Sequence, residues 1–385
     1  MMIARTGRRK GNLRKPRIIN NKQIKALGLF SGGLDSIIAA KLMKDMGFNV
    51  ELIFFTSPFL NRTKAIDESL ERKVRMSAKQ LGLRVNIIPI GAEYIDIIRN
   101  AKYGYGKGMN PCIDCKIYML RKAWEYTEHM GFKFLFTGDV LGERPLSQTR
   151  HALEIIDKEL GLEGKIVRPL SGKLLPATEA EIKGWLNRNK LLAISGRSRH
   201  VQMSLARKWN LTYPAPAGGC LLTDKHYSLR LKDLFEHAEE TRKYKIDFDD
   251  IAVLSIGRHF RFGNSKIIIG RREDENIQLR KMAHKEDLIL ECDEVMGPTT
   301  LLRGIKNKKT ICLAARLTAY FSDARKEGIT RVRVNIWKAN EKSRVNKFAG
   351  DSWRINKTIS ISPRLDFKKE MDKGLVWIGQ NVWSN

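Results

Sequence analysis

The sequence predicts an α/β protein with a mainly parallel sheet, followed by a small α+β module. Three observations lead to this fold class. In residues 24–137, short apolar runs alternate with segments of helical apolar spacing, as in a parallel sheet covered by helices. A glycine-rich segment separates the first apolar run from the first helical pattern. Beyond residue 226 this alternation gives way to short strands separated by charged turns.

The individual elements follow from the apolar spacing, taken in chain order. Buried strands of the α/β part are expected at Ile24–Phe30, Asn49–Thr56, Arg84–Ile90 and Phe132–Thr137. Its helices are expected at Ser36–Met46, Glu68–Leu81, Ile113–Met130, Thr178–Lys190 and Val201–Trp209. In the second part we expect a helix at Leu229–Arg242 and strands at Ile251–Ile256 and Lys266–Ile269.

Shifts in composition divide the chain into four regions. Residues 1–23 are rich in Lys and Arg and contain no acid, which predicts a basic arm. A transit peptide has the same bias, but the arm lacks Ser, so we favour the arm. The α/β domain is expected at 24–226 and the α+β module at 227–330. Residues 331–385 form a basic C-terminal region whose fold the sequence does not predict.

The formal net charge is +29 and the isoelectric point is about 10.0. Such an excess of positive charge indicates a polyanionic partner, most often a nucleic acid. A membrane surface or a ribosome would fit the charge equally well. No apolar run approaches the roughly eighteen residues of a membrane-spanning helix, so we expect no membrane span.

The chain has five cysteines and begins with a basic, polar stretch instead of an apolar signal sequence. An odd number of cysteines without a secretory signal argues against a disulfide framework. We therefore expect the protein to work in a reducing cytoplasm.

The glycine-rich segment Ser31-Gly32-Gly33-Leu34-Asp35-Ser36 lies between a strand and a helix. Glycines allow the backbone to approach a ligand closely, and the N-terminus of the following helix attracts anions, so the loop is suited to cradle phosphates. The Ser31 and Ser36 hydroxyls add donors. A carboxylate inside a phosphate cradle needs a cation, so Asp35 is expected to act through Mg²⁺. The Gly-Lys-Ser/Thr ending of a Walker loop is missing.

Three of the five cysteines are candidates for a metal or redox site. Cys112 and Cys115 open a predicted helix, and Cys220 follows two glycines. A C-x-x-C pair fits a redox pair, half of a zinc site or part of an iron–sulfur site. Three cysteines without an obvious fourth fit a [4Fe–4S] cluster with one open iron. Cys292 and Cys312 lack such spacing and are expected to be core thiols.

The loop at Ser31–Ser36 resembles the SGGxDS signature of the PP-loop ATP pyrophosphatases, which have an adenine-nucleotide α-hydrolase-like fold and leave AMP on their substrate. The order of this loop, Asn110-Pro-Cys112-x-x-Cys115 and Gly219-Cys220 resembles the tRNA 2-thiouridylase and 4-thiouridine synthetase group. By this resemblance Cys115 and Cys220 are the working pair.

Cys112 stands where many of those enzymes have Asp, which resembles a cluster-dependent variant. The resemblance thus implies a [4Fe–4S] cluster held by Cys112, Cys115 and Cys220, with ATP and Mg²⁺ as further cofactors. Lys116 in place of Asn departs from the pattern and leaves the substrate less certain than the chemistry. Asp35, Cys115 and Cys220 are then the expected catalytic residues.

Gly138 and Asp139 follow a predicted strand and therefore lie at the carboxyl edge of the sheet, where ligands of open α/β folds bind. We predict that they contact the nucleotide. The second module resembles an NFACT-type RNA-binding domain around the segment GRHFRFG and the following GRR. Its expected RNA-binding residues are Arg258, His259, Arg261, Arg271 and Arg272.

Together these features predict an ATP-dependent tRNA sulfurtransferase that adenylates a base, with uridine the expected target, and replaces its oxygen with sulfur. No cysteine loop of the rhodanese kind is evident, so the sulfur should come from an external donor, either sulfide or a cysteine desulfurase relay. Two alternatives remain open. One is a PP-loop adenylating enzyme or amide ligase with zinc at the cysteines, and the other is a non-catalytic RNA-binding protein.

Overall fold

The structure is a computed structural model that describes residues 23–59, 64–215, 220–241, 246–339 and 357–379. Residues 1–22, nearly all of the expected basic arm, lie outside this part, as do Ala217, Gly218 and Gly219 before Cys220. Within the described residues, no helix combines the length and the apolar character needed to cross a bilayer.

The first sheet has five strands in the order β3-β2-β1-β4-β5, which confirms the expected α/β class. β1 lies at its centre and pairs in parallel with β2 (Lys25 opposite Asn49) and with β4 (Ala26 opposite Phe134). The strands are β1 Lys25–Leu29, β2 Asn49–Thr56, β3 Arg84–Pro89, β4 Phe134–Thr137 and β5 Ile166–Val167.

Among the described residues, seven α-helices alternate with these strands or follow them in the chain. Apolar side chains of both kinds of element, such as Leu27, Ile37, Ile38 and Phe136, are fully buried. Gly28 stands in the central strand because a Cβ there would lie 2.4 Å from the Phe136 ring. The helices are α1 Leu34–Asp45, α2 Lys64–Gln80, α3 Glu93–Arg99, α4 Cys112–Met130, α5 Arg150–Leu160, α6 Glu179–Ile182 and α7 His200–Lys208.

The second sheet has seven strands in the order β11-β10-β8-β9-β7-β6-β12, and its described pairings are antiparallel. Its strands are β6 Arg258–Phe262, β7 Ser265–Ile269, β8 Leu288–Cys292, β9 Thr300–Gly304, β10 Val332–Lys338, β11 Lys357–Ile361 and β12 Leu375–Ile378. The accompanying helices are α8 Lys225–Thr241, α9 Phe248–Val253, α10 Glu273–Lys281, α11 Lys308–Tyr320 and α12 Phe367–Asp372.

Both faces of the second sheet are covered. One apolar cluster joins strand residues such as Phe260 and Leu302 to Leu313 of α11. The other joins Ile268 to residues of α9 and α10, including Val253. Polar residues of the inner strands β6 and β7, such as Arg261, Ser265 and Lys266, are therefore buried as well.

Three expectations about elements and boundaries were wrong. Only Glu179–Ile182 of the expected helix Thr178–Lys190 is α-helical, because Gly184 adopts a left-handed φ of 71° and ends it. Ile251–Ile256 is not a strand. There α9 forms because the Asp247 carboxylate accepts the Asp250 N–H and the Asp250 carboxylate accepts the Asp247 N–H, a capping box.

The expected boundary near residue 331 also fails, because β10, β11 and β12 pair with strands that precede it. The C-terminal region, as far as the structure describes it, therefore completes the same sheet. The other expected boundaries stay predictions.

By internal contacts the chain forms two compact units. In the described residues, the first takes in the chain up to Phe54, Met76–Asn86 and Leu120–Tyr213. The second combines Phe55–Arg75, Ile87–Met119 and the chain from Pro214 onward. The glycine loop belongs to the first unit and the three cysteines of the expected site belong to the second.

Candidate functional site

The glycine loop forms a tight turn between β1 and α1. Gly32 has a positive φ of 72°, which favours glycine. The Ser36 hydroxyl donates to the Gly33 carbonyl at 2.9 Å, and the Ser31 N–H donates to the Ser36 hydroxyl oxygen at 3.3 Å. The Ser77 hydroxyl donates to the Gly32 carbonyl at 3.4 Å. These bonds shape the loop at the N-terminus of α1, as a phosphate cradle requires.

Gly138 packs directly against this loop, as its position at the end of β4 predicts. A Cβ at Gly138 would lie 2.7 Å from both the backbone nitrogen and the Cα of Ser36. Asp139 is buried, and its carboxylate accepts hydrogen bonds from the Thr137 hydroxyl at 2.8 Å and the Gln148 amide at 2.9 Å. Its nucleotide-binding role stays a prediction, since these bonds alone would hold the loop in place.

Asp35 faces a second carboxylate and a guanidinium. The Arg199 guanidinium donates to Glu143 Oε1 through Nη2 at 2.7 Å and through Nε at 3.0 Å. The same Nη2 atom lies 3.6 Å from Asp35 Oδ2. Burial, and then the Glu143 charge, raise the pKa of Asp35, while Arg199 and the nearby Gln202 amide lower it. No sequence motif marked Gln202 as part of this site.

The cysteine site is built on the first turn of α4. Cys112 begins this helix and Cys115 lies one turn later, so both lie on one face. The buried Asp114 carboxylate accepts the backbone N–H groups of Lys102 and Tyr103 at 2.9 and 3.2 Å, which anchors the helix start. None of the chain's cysteines forms a disulfide.

Cys220 approaches the site from the loop before α8. Its Sγ lies 3.6 Å from the Phe59 carbonyl oxygen, which also accepts the Leu221 N–H at 3.0 Å. The charges of Cys112 and Cys220 both raise the pKa of Cys115, so the structure brings the three predicted sulfur ligands into one neighbourhood. The sequence singled out these three cysteines, but 104 residues separate Cys115 from Cys220, so local spacing could not predict that they lie close together.

Aromatic residues lie beside the cysteines, since Tyr94 is hydrogen-bonded to Cys115 and the Phe59 carbonyl contacts Cys220. Phe59 contacts Tyr94 and Tyr227 with ring centroids 5.8 and 6.5 Å apart, and Tyr94 contacts Tyr118 at 5.2 Å. Burial raises the pKa of Cys115 to about 12, although a hydrogen bond with Tyr94 lowers it, and burial raises the pKa of Cys220 to about 11. The sequence did not indicate this aromatic shell.

The donor set fits a cluster better than a single zinc ion. Ligands of tetrahedral zinc at about 2.3 Å lie about 3.8 Å apart. Among the described residues, the three sulfurs do not form a set within 4.8 Å of one another; Asp247, Asp250 and His284 form such a set instead. Three soft thiol ligands in an apolar setting, more widely spaced than around one ion, match a multi-iron group.

The expected RNA-binding residues divide into two groups. His259 is fully buried and contacts the Ile256 carbonyl at 2.7 Å. Arg261 is buried and donates twice to the Asp233 carboxylate, at 3.0 and 2.7 Å. The expected direct RNA contact is therefore wrong for these two residues in this structure, because α8 and α9 cover the face of the sheet on which they lie.

The other three arginines line a groove of about 610 Å³. Arg258 stacks over the Phe321 ring at 4.6 Å. Arg271 is bound to the Glu275 carboxylate at 2.6 Å, and the exposed Arg272 pairs with Asp274 at 2.9 Å. The same groove contains Tyr320, Phe321, Arg325 and Lys326, with Arg325 stacked over Tyr320 at 4.6 Å. Sequence reasoning missed these last four residues.

Two protein families match parts of the chain. The family "Thiamine biosynthesis protein (ThiI)" matches residues 21–176. The family "NFACT protein RNA binding domain" matches residues 257–354. These matches confirm the PP-loop and NFACT-type resemblances, and the second crosses the expected boundary at 331.

Individual relatives match about a third of the chain. A probable tRNA sulfurtransferase of Methanocaldococcus jannaschii is 31% identical over 152 residues, which are 39% of this chain and 37% of the relative. A tRNA-specific 2-thiouridylase of Marinobacter nauticus is 30% identical over 129 residues, 30% of this chain and 31% of the relative. The chain thus spans about a third of these relatives' length.

Among solved structures, a 4-thiouridine synthetase in complex with RNA and ATP is 21% identical to this chain. The match covers 48% of this chain and 49% of that one, with a TM-score of 0.30.

Proposed function

We propose that the chain is an ATP-dependent tRNA sulfurtransferase, because residues 21–176 match the ThiI family and residues 257–354 match an NFACT-type RNA-binding domain. One observation carries the proposal: a phosphate-cradling loop and a three-cysteine site occur in a single chain with an RNA-binding module. The reaction has three requirements, and each part supplies one of them. The loop would activate the base, the cysteine site would deliver sulfur, and the module would bind the substrate.

The glycine loop activates the base. The N–H groups at the start of α1 and the hydroxyls of Ser31 and Ser36 bind the phosphates of ATP. A carbonyl oxygen of the base, in our proposal a uridine, attacks the α-phosphate, the bond to the bridging oxygen breaks, and pyrophosphate leaves. Adenylation turns a poor leaving group into a good one. Asp35 would hold Mg²⁺, which neutralises phosphate charge when bound.

The cysteine site delivers sulfur. Cys112, Cys115 and Cys220 would hold a [4Fe–4S] cluster, which supplies a bound sulfur nucleophile when present. The rings of Phe59, Tyr94 and Tyr227 keep bulk water away from this site. A carbon–sulfur bond forms at the activated carbon, the carbon–oxygen bond breaks, and AMP leaves with the oxygen. The sulfur itself comes from sulfide, or from a cysteine desulfurase relay together with a two-electron reductant such as a thiol, which brings the persulfide sulfur to the sulfide level.

The second module holds the tRNA. Arg258, Arg271 and Arg272 line a groove in which guanidinium groups face solvent and aromatic rings support them. Bases paired within a duplex cannot reach an active site, so the target base should be flipped out or lie in a loop. The high positive charge supplies most of the affinity, in a cytoplasm where tRNA is abundant.

The cysteine assignment is tested by purifying the protein without oxygen and measuring iron and sulfide. We expect about four irons per chain in the wild type, as a [4Fe–4S] cluster requires. Cys115→Ala and Cys220→Ala should lose the iron and its visible absorption. Cys312→Ala is the matched control, because Cys312 lies in α11 and has no part in the proposed site, and it should retain iron.

Activity is measured on the same preparations as AMP release and as sulfur incorporation into a tRNA transcript. The wild type should give both, and Cys220→Ala should lose sulfur incorporation. Zinc in place of iron, with AMP release intact, would replace this proposal by a PP-loop ligase. RNA binding without AMP release would indicate a non-catalytic RNA-binding protein.

A further inference from the structure

Arg199 occupies the place between two carboxylates at the glycine loop. Its Nη2 atom lies 2.7 Å from Glu143 Oε1 and 3.6 Å from Asp35 Oδ2. The Glu143 and Asp35 side chains are only 8% and 17% exposed, whereas Arg199 is 32% exposed. Two largely buried carboxylates thus share one guanidinium that could leave towards solvent.

Polar atoms beside this trio lack partners. Among the described residues, the buried Oδ1 atom of Asp35 has no hydrogen-bond partner. The Gln202 side chain is completely buried, and neither its amide oxygen nor its amide nitrogen has a hydrogen-bond partner in the described structure. Gln202 lies one helical turn after Arg199, and its amide is near enough to the Asp35 carboxylate to lower the pKa of Asp35, although the two groups do not meet hydrogen-bond geometry. Buried polar atoms without protein partners are uncommon in folded proteins, and a bound cation is one of the ways in which such atoms are satisfied.

The donor set has a defined chemistry. Asp35 and Glu143 supply carboxylate oxygens, and Gln202 supplies an amide oxygen. Oxygen ligands of this kind suit Mg²⁺ and Mn²⁺. Arg199 balances only one of the two negative charges, so the trio keeps one negative charge that a divalent cation can neutralise.

We propose that Arg199 stands in for a divalent cation in the nucleotide-free protein and is exchanged for that cation when nucleotide binds. The cation then lies between Asp35, Glu143 and Gln202. The released guanidinium turns to the phosphates, which it can bind through two parallel N–H donors. This inference rests on the proposed function, because it assigns metal loading to the same nucleotide site.

The exchange predicts opposite effects for two substitutions in one ion pair. In Arg199→Gln the two carboxylates have lost their competing cation, so binding of Mn²⁺ without nucleotide should strengthen about tenfold, or ~1.4 kcal/mol. In Glu143→Gln a ligand is lost, so Mn²⁺ binding should weaken by a similar factor. A purely structural ion pair would give a loss in both variants.

Mn²⁺ binding is measured on the full chain by the electron paramagnetic resonance signal of free Mn²⁺. Arg197→Gln is the matched control: it makes the same charge change two residues away, at an exposed side chain, and should bind Mn²⁺ as the wild type does. A thermal melt of each variant checks folding. The proposal is overturned if Arg199→Gln binds Mn²⁺ no more tightly than the wild type, including the case in which neither binds it.

A second titration separates this inference from the proposed function. Binding of α,β-methylene-ATP, which cannot be split between its α and β phosphates, is measured with and without Mg²⁺. Arg199→Gln should weaken nucleotide binding, and Glu143→Gln should abolish the gain that Mg²⁺ brings. Nucleotide binding with unaltered Mn²⁺ affinities would refute the exchange alone. The expected Mn²⁺ changes without nucleotide binding would refute the proposed function and leave the cation site in place.

Discussion

At the scale of single residues, Gly138 shows how closely the glycine loop is packed. Its φ lies outside the left-handed region, so backbone freedom does not explain the glycine. The lack of space explains it, because a methyl group at this position would lie 2.7 Å from the Ser36 backbone. Backbone atoms of a helix N-terminus cannot move aside as a flexible side chain can, so the loop itself would have to shift.

We therefore expect Gly138→Ala to weaken nucleotide binding by at least about tenfold, because a misplacement of about 1 Å at such a site is enough to impair it. Fluorescence anisotropy of a labelled ATP analogue measures this. Gly131→Ala is the control: Gly131 has a φ of 71° and open space around it, so alanine should cost about 1 kcal/mol of stability and leave affinity unchanged. Equal affinities for both variants would contradict the packing argument.

At the scale of secondary-structure elements, β6 and β7 carry charged side chains into the interior. Arg261 and Lys266 lie opposite each other on the two strands, and both contact Asp233 of α8. One carboxylate thus faces two cations. Burial, and then the Arg261 and Arg230 charges, lower the pKa of Lys266 to about 7 even though Asp233 raises it. In water this pKa would be 10.5.

This shift makes stability depend on pH. Between about pH 7 and 10.5 the unfolded chain keeps the Lys266 proton and the folded chain releases it, so the free energy of unfolding should rise with pH, by up to about 1 kcal/mol per unit. Below pH 7 both states hold the proton and this contribution is flat. Lys266→Met, which leaves Asp233 paired with Arg261, should lack the rise. Urea unfolding from pH 7 to 9.5 measures it, and parallel curves for both proteins would disprove the shift.

The same strands explain why part of the site could not be predicted. The spacing of apolar runs was enough to predict β1 to β4 and the glycine loop, because each is a local pattern. The segment that became β6 appeared to be a basic, aromatic RNA-binding surface. Whether Arg261 meets solvent or Asp233 depends on α8, which lies 28 residues away in the sequence. Local periodicity contains no such information.

Contacts between segments far apart in the sequence also could not be predicted at the two candidate sites. Gln202 lies in a helix that the spacing predicts, but its contact with Asp35 depends on how α7 packs against α1. The aromatic shell of the cysteines combines Phe59, Tyr94 and Tyr227 from three separated segments. Ligand residues with a motif could be predicted, whereas the residues that support them could not.

At the scale of the whole molecule, we expect the charge of +29 to attract RNA in general and the groove to add specific contacts. Arg258 and Arg325 each stack on an aromatic ring, which holds the guanidinium plane in place and leaves its edge for phosphate. Counterion release makes such contacts strongly dependent on salt.

We expect Arg258→Ala and Arg325→Ala each to weaken binding of a tRNA transcript and to reduce the slope of log affinity against log salt by about one. Filter binding at several salt concentrations measures both quantities. Arg333→Ala is the control, because Arg333 lies on β10 and already pairs with Asp293 and Glu294. If the control lowers the slope as much as the groove variants do, the groove has no special part in binding.

Residues 357–379 supply both outer strands of the second sheet, since β11 forms one edge and β12 the other. Proteins are synthesised from the N-terminus, and domains fold as their chain emerges. The first sheet has all of its strands once residue 167 has been made. The second remains open at both sides, with unpaired backbone donors and acceptors on β10 and β6, until residue 378 has followed. During translation a nascent chain can therefore hold a formed glycine loop well before its second sheet is complete, and over that interval the open strand edges can pair with other chains.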